Sequence, residues 1–157
     1  AQLHHVLGAI TAGQQEVRRL LDGVDVVADN ESCYGYFIKP AIFTEVTPEH
    51  TLFQEEIFGP VLAITVVTSF DEAVALVNDS RYGLVSSICT NDLGVARKFA
   101  DRVETGMVKI NRTTTGIAMN APFGGWKDSS SGTFREEGMA VLDFYTKEKT
   151  VFMGDWI

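Results

Sequence analysis

The chain has 157 residues, of which 45% are hydrophobic and 22% charged, a mixture typical of a water-soluble domain with its own core. Its formal charge is −8 and its 13 basic residues form no cluster, which argues against a nucleic-acid partner. No apolar run is long enough to cross a membrane, and the first residues do not have the basic start of a signal peptide, so we expect a soluble, cytoplasmic protein.

The cysteines and histidines suggest no metal site and no disulfide framework. Cys33 and Cys89 are far apart, belong to no CxxC pair and have no pair of histidines nearby. His4 and His5 fall in a predicted surface helix and His50 in a turn. We interpret all three as solvated imidazoles.

The opening segment has the pattern of an amphipathic helix. Apolar residues recur at helical spacing between residues 3 and 21, with Gly13 as a candidate break and residues 22–23 as the end. Extended runs are predicted at 24–28 and 36–43, on either side of a turn at 29–32.

Two strand–helix units follow. Residues 61–67 predict a strand, and Ser69 and Glu72 then have the spacing of a capping box that begins a helix. Residues 84–90 predict the next strand, Asn91 or Asp92 caps a second helix, and residues 107–110 form another strand. Strands that alternate with short helices favour an α/β fold, with a largely parallel sheet flanked by helices.

The last third of the chain is less regular. Periodicity disappears between residues 111 and 134, which indicates either a binding segment or a disordered surface loop. A short helical turn is predicted at 139–142 and a closing strand at 150–153. That strand has few local partners, so it pairs with the sheet edge of another subunit or packs back on its own domain.

The acidic pair Glu55-Glu56 is the most informative polar feature. In an extended chain adjacent side chains point in opposite directions, so at most one of these carboxylates faces a given site. A carboxylate is the usual partner of a ribose diol, and Phe58, two residues beyond Glu56, would offer an aromatic plane on the same side. The alternative is a pair of solvated loop acids and a core phenylalanine.

The run Glu56-Ile57-Phe58-Gly59-Pro60-Val61 resembles the signature of the aldehyde dehydrogenase family. Further segments resemble the family's motifs in the family's order. They are G-Y-F-x-x-P at 35–40, N-x-x-x-Y-G-L at 78–84, G-x-x-x-x-N at 106–111, P-F-G-G-x-K-x-S at 122–129, and the runs 135–138 and 145–151.

The resemblance implies an enzyme that oxidises an aldehyde with NAD or NADP. In the family a cysteine thiolate attacks the aldehyde, hydride passes to the cofactor, and a glutamate-activated water releases the acid. It implies that Glu56 holds the nicotinamide ribose and that Phe58 packs against it. The nucleophile and the general base belong to motifs N-terminal to this chain, and neither Cys33 nor Cys89 has the nucleophile's sequence context. No catalytic residue is therefore assigned, and the isolated chain is expected to be inactive and to bind the cofactor weakly.

The resemblance also implies a domain arrangement and a substrate. Residues 1–145 would be the C-terminal part of the catalytic domain, and residues 146–157 an oligomerisation strand of a homo-oligomer. The segment before P-F-G-G would line the aldehyde pocket. Residues 111–117, together with 129–138 and 144–146, are most similar to the branch that oxidises α-ketoglutarate semialdehyde (2,5-dioxopentanoate). The predicted substrate-binding residues are Arg112, Thr115, Ile117 and Phe123.

Two alternatives stay open. One is an enzyme for succinate semialdehyde or for aliphatic aldehydes in general. The other is a naturally separate, non-catalytic module that binds a partner or oligomerises. The chain begins without Met and its first helix has no preceding cap, so we expect a piece of a longer protein.

Overall fold

A computed structural model describes residues 1–21, 36–132 and 134–154. The chain divides into two compact units, Ala1–Ser80 and Arg81–Ile157. The extended run predicted at 24–28, the turn at 29–32 and Cys33 lie outside the described residues.

In its described residues, the first unit combines three helices with a three-stranded sheet. Strand β1 pairs antiparallel with β2, and β2 pairs parallel with β3, with Ala41 opposite Val61. The elements in chain order are α1 (Gln2–Glu16), β1 (Arg18–Leu21), β2 (Ala41–Thr44), α2 (Thr51–Gln54), β3 (Val61–Ile64) and α3 (Phe70–Asn78).

Helix α1 is shorter than its sequence pattern predicts. It ends at Glu16, Val17 is extended, and Arg18–Leu21 forms β1. The prediction of helix up to residue 21 is therefore wrong, because the backbone of that segment pairs with β2 instead. Gly13 does not break the helix. It is buried, and a Cβ atom there would lie only 3.0 Å from Cγ of Leu52, so glycine allows α1 to approach α2 closely.

The core of this unit is built from both α1 and the sheet. Its buried members are Val6, Ile10, Ala41, Phe43, Val46 and Leu52. Phe43 and Ile10 are completely inaccessible to solvent. Burial of this apolar surface is the main force that holds α1 on the sheet.

The predicted capping box is present at the start of α3. The Ser69 hydroxyl accepts the Glu72 N–H at 3.1 Å. The Glu72 carboxylate in turn accepts the backbone N–H and the hydroxyl of Thr68, each at 2.8 Å. These hydrogen bonds favour the ionised form and lower the pKa of Glu72.

The second unit contains a parallel strand pair and an antiparallel one. Strands β5 and β6 are parallel, with α4 as the crossover between them, whereas β4 pairs antiparallel with β7. The elements are β4 (Tyr82–Gly83), β5 (Val85–Ile88), α4 (Leu93–Arg102), β6 (Met107–Ile110), β7 (Trp126–Lys127), a 3-10 helix (Gly138–Ala140) and α5 (Val141–Tyr145). Asp92 is the cap of α4, where its carboxylate accepts the N–H groups of Gly94 and Val95 at 2.7 and 3.0 Å.

The α/β prediction is confirmed in its coarser form. The described residues contain the parallel pairs β2–β3 and β5–β6, but they form three small sheets instead of one large sheet. Two pairings are antiparallel, β1 with β2 and β4 with β7, which the alternating pattern of strands and helices did not indicate.

The predicted closing strand does not form within the described chain. Residues 146–154 belong to no helix or strand, and Phe152 and Met153 are each 92% exposed. Pairing with another subunit, and the boundary between residues 145 and 146, therefore stay predictions. In the described part of the chain no helix is long and apolar enough to cross a membrane.

Candidate functional site

The segment from Glu55 to Pro60 is anchored to the start of α1. The Gln2 side-chain amide donates to the carbonyl oxygens of Ile57 and Phe58, both at 3.0 Å. Ile57 is half-buried against the core. The segment is thus fixed at its centre while the residues around it remain open to solvent.

Phe58 is an exposed aromatic side chain and not a core residue. Its backbone is in the left-handed region, with φ of +53°, and the residue is 75% exposed. The ring borders a cavity of about 500 Å³ that Gln2, Val6, Tyr36, Ile38 and Pro60 also line. An open aromatic beside a cavity is suited to stack on a flat group such as a nicotinamide ring or its ribose.

Both carboxylates of the acidic pair are exposed. Glu55 borders a second cavity, of about 350 Å³, next to His4 and His5. Glu56 lines neither cavity and makes no hydrogen bond within the described residues. The prediction that Glu56 and Phe58 face the same side requires extended backbone and is wrong, because the backbone of Phe58 is left-handed. Their cofactor-binding roles stay predictions.

In the second unit, Arg112, Thr115 and Ile117 lie along one cleft. This cleft, of about 710 Å³, lies beside the end of β6, and its lining also includes Lys109 and Thr113. The hydroxyl groups of Thr113 and Thr115 are 3.0 Å apart. Three of the four residues predicted to bind substrate are therefore neighbours. That they bind it stays a prediction.

Phe123 lies on a different cavity. Its backbone N–H donates to the Glu136 carbonyl at 2.5 Å, and the Glu136 N–H donates back at 2.8 Å. This bridge places the half-buried Phe123 on a cavity of about 160 Å³, lined in part by Ser129 and Phe134. Its role as an aromatic wall stays a prediction.

The contacts of two side chains, Lys109 and His50, were not predicted from the sequence. The Lys109 ammonium donates to three consecutive loop carbonyls, those of Thr114, Thr115 and Gly116, at 3.1, 2.7 and 2.5 Å. The sequence feature that could have indicated this role is a lysine in a strand whose other residues are apolar. His50 differs from its interpretation as a solvated imidazole: it is half-buried and accepts the Thr47 N–H through Nδ1 at 2.9 Å, so it stabilises its turn.

Several residues of the family-like motifs have structural contacts. Asn111 forms a reciprocal pair with the Thr90 backbone, accepting its N–H at 2.8 Å and donating to its carbonyl at 2.9 Å. The Arg135 guanidinium donates to the Gly124 carbonyl. A Cβ atom at Gly106 would overlap that same carbonyl oxygen. These motifs hold the loop segments of the second unit in place.

Among the described residues no group of His, Cys, Asp or Glu could hold a metal ion. Cys89 is an exposed, free thiol. The described residues present a cleft lined by the cationic side chains Lys109 and Arg112 in one unit. In the other unit they present the exposed ring of Phe58, close in sequence to the exposed Glu55 and Glu56.

Known proteins match the chain over nearly its whole length. The aldehyde dehydrogenase family model matches residues 1–151. The chain is 46% identical to an alpha-ketoglutarate semialdehyde dehydrogenase of Haloferax volcanii and 45% identical to an alpha-ketoglutaric semialdehyde dehydrogenase of Bacillus subtilis, in each case over 97% of the chain. It spans only 32% and 31% of the length of those two relatives.

The fold is also similar to that of a solved aldehyde dehydrogenase structure. The NAD-dependent aldehyde dehydrogenase of Sinorhizobium meliloti superposes with a TM-score of 0.83 at 33% identity. The match covers 93% of this chain and 28% of that one. The chain belongs to the aldehyde dehydrogenase family.

Proposed function

We propose that the chain is the C-terminal part of an NAD- or NADP-dependent dehydrogenase that oxidises α-ketoglutarate semialdehyde to the carboxylic acid. The observation that carries this proposal is the cleft beside β6, in which Arg112 and Lys109 lie with the hydroxyls of Thr113 and Thr115. Relatives named for that substrate are 46% and 45% identical to the chain. We expect the enzyme to act in the cytoplasm.

The cleft suits an aldehyde that carries a carboxylate. A carboxylate that leaves water needs charged or strongly dipolar partners, and a guanidinium provides two parallel donors for it. Arg112 is exposed and its guanidinium makes no hydrogen bond to the described residues, so these donors are open to a ligand. Thr115 would add a hydroxyl, and Ile117 would contact the carbon chain.

Glu56 and Phe58 would bind the cofactor. The Phe58 ring is exposed and Glu56 makes no hydrogen bond within the described residues, so each is open to a ligand such as a ribose with its attached nicotinamide. Bound NAD or NADP would accept the hydride. The part of this chain would be to hold the ribose hydroxyls at Glu56 and to limit the ring's movement with Phe58, which favours a productive orientation.

The nucleophile and the general base would come from a part of the enzyme outside this chain. Cys89 is exposed at the end of β5, and no acid or base of the described residues contacts its thiol. We therefore expect the isolated 157-residue chain to form no NADH or NADPH with any aldehyde. Calorimetric titration should detect no micromolar affinity for either cofactor, and such an affinity would contradict this part of the proposal.

The last residues would join subunits. Val151, Phe152 and Met153 expose apolar side chains at 67%, 92% and 92%, which is a large apolar surface for so short a segment. Deletion of residues 146–157 from the intact enzyme should give monomers or insoluble protein, as measured by light scattering. A truncated enzyme that stays a soluble native oligomer would refute this role.

The experiment that tests the function is a comparison of aldehydes with the intact enzyme. NADH and NADPH formation would be followed with α-ketoglutarate semialdehyde, succinate semialdehyde and hexanal. The proposal predicts the highest kcat/KM for α-ketoglutarate semialdehyde. A preference for hexanal would favour a general aliphatic aldehyde dehydrogenase, and no turnover with any of the three would favour a non-catalytic module.

A further inference from the structure

The Lys109 ammonium lies at the centre of a turn formed by the segment that follows β6. Its three N–H bonds are directed to the carbonyl oxygens of Thr114, Thr115 and Gly116, at 3.1, 2.7 and 2.5 Å. An ammonium group has three donors and no acceptor, so these bonds use its whole hydrogen-bonding capacity.

Three consecutive carbonyl groups rarely point at one position, because their negative ends repel each other. The backbone achieves this arrangement with Gly116 at φ of +83°, a conformation that residues with a Cβ atom adopt with difficulty. A cation at the point of convergence removes the repulsion. Lys109 provides that cation from a neighbouring strand, and this links the turn to β6.

No carboxylate neutralises Lys109 within the described residues. Its hydrogen bonds are all to backbone carbonyls, and it belongs to no ion pair in that part of the chain. Lys109 is a half-buried residue, and it therefore leaves a net positive charge beside the cleft that Arg112, Thr115 and Ile117 line. A positive charge on the wall of a cleft raises the local concentration of anions there.

We propose that Lys109 is a positioning and specificity residue, which holds residues 112–118 in their binding conformation and adds the charge that selects aldehydes bearing a carboxylate. Its role in specificity rests on the proposed function, whereas its role in positioning does not. Lys109 has no free donor, so it acts through the loop and through its charge, while the Arg112 guanidinium is free to contact the ligand's carboxylate.

The test uses three variants of the intact enzyme. Lys109→Met removes both the donors and the charge from a side chain of similar length. Gly116→Ala strains the same turn but keeps every charge, and its Cβ would meet no atom within 4 Å. Lys98→Met removes one charge from an exposed position on α4 and serves as the control.

The first readout is the rate at which a broad-specificity protease cleaves within residues 112–118, mapped by mass spectrometry. Cleavage follows the population of the opened loop. We expect Lys109→Met and Gly116→Ala each to raise this rate by about tenfold. Lys109→Met removes stabilisation worth roughly one charge-assisted hydrogen bond, and Gly116→Ala adds strain at one residue of the turn. Lys98→Met should not change it.

The second readout is kcat/KM for α-ketoglutarate semialdehyde relative to hexanal. Lys109→Met should lower this ratio by about tenfold, mainly through KM. Gly116→Ala should lower it less, because this substitution loosens the loop that carries Arg112 but keeps the charge of Lys109. An unchanged ratio in Lys109→Met would overturn the specificity role.

The two readouts separate the proposals. If Lys109→Met does not fold, cleavage of Gly116→Ala still tests the turn, and a rate equal to that of the wild type would overturn the positioning role. If the wild-type enzyme oxidises no aldehyde, the proposed function fails, and the cleavage rates alone decide whether Lys109 holds the loop.

Discussion

Gly59 is the residue at which the contact between α1 and residues 55–60, the proposed cofactor-binding segment, can be tested most sharply. A Cβ atom there would lie 2.6 and 2.8 Å from the two methyl groups of Val6 and 3.3 Å from its Cβ. Comfortable contacts between carbon atoms are about 3.5–4.0 Å long. Val6 is only 3% exposed and belongs to the core, so its side chain has little room to move away.

The magnitude follows from the size of this overlap. Overpacking of a well-filled site costs about 1–3 kcal/mol, and we expect Gly59→Ala to lower the free energy of unfolding by that amount. Val6→Ala removes two buried methyl groups and should cost about 2 kcal/mol. In the double variant the methyl group added at position 59 would occupy the space that Val6 leaves. The combined loss should therefore be smaller than the sum by about 1–2 kcal/mol.

The assay is denaturant unfolding of the intact enzyme and its three variants, together with titration of NAD. Because Gly59 follows Phe58 directly, Gly59→Ala should also weaken NAD binding, and the Val6→Ala background should restore part of it. If Gly59→Ala changes stability by less than about 0.5 kcal/mol, or if the two substitutions are additive, α1 does not hold this segment as described.

Three further outcomes are expected. Asp92→Ala should lower the free energy of unfolding by about 1 kcal/mol, because α4 loses its cap, whereas Asp92→Asn should keep most of it; denaturant midpoints decide this. The pKa of Glu72 is lowered in the folded state, so the stability it contributes is fully present above its ordinary pKa and is lost as the pH falls through the lowered one. The difference in stability between wild type and Glu72→Gln should therefore shrink on acidification, and a difference that grows would contradict the capping-box contacts. Glu56→Gln should raise the dissociation constant of NAD by about tenfold while Glu55→Gln leaves it unchanged, and equal effects in calorimetry would count against the assignment.

Short sequence patterns predicted the helices and strands that are stabilised by contacts within the same few residues. The S-x-x-E run at Ser69 and the carboxylate of Asp92 identified the starts of α3 and α4, because a cap satisfies backbone groups within the same few residues. The apolar, β-branched runs identified β3, β5 and β6 for a similar reason.

Contacts between distant segments could not be predicted in this way. The end of α1 follows helical spacing up to residue 21, yet the backbone after Glu16 pairs with β2, which lies some twenty residues further along the chain. The left-handed backbone of Phe58 could not be predicted from the sequence. Such a conformation is uncommon for residues other than glycine, so nothing at a phenylalanine indicates it. It changes the direction of the ring relative to Glu56.

In the candidate substrate site too, the contacts within one loop could be predicted and the contacts between distant segments could not. Arg112, Thr115 and Ile117 are neighbours because they belong to one short loop, so their common cleft follows from sequence proximity. Phe123 is separated from them by its bridge to Glu136, and Lys109 becomes important only because three carbonyls converge on it. Both features depend on tertiary structure.

The central claim is that Arg112 receives the carboxylate of an acidic aldehyde. The measurement that tests it most directly is kcat/KM of the intact enzyme and its Arg112→Gln variant, with α-ketoglutarate semialdehyde and with hexanal. We predict that the substitution lowers kcat/KM for the acidic substrate by about tenfold to a hundredfold, through KM, and leaves that for hexanal nearly unchanged. An equal loss for both substrates, or no loss for either, would contradict the account.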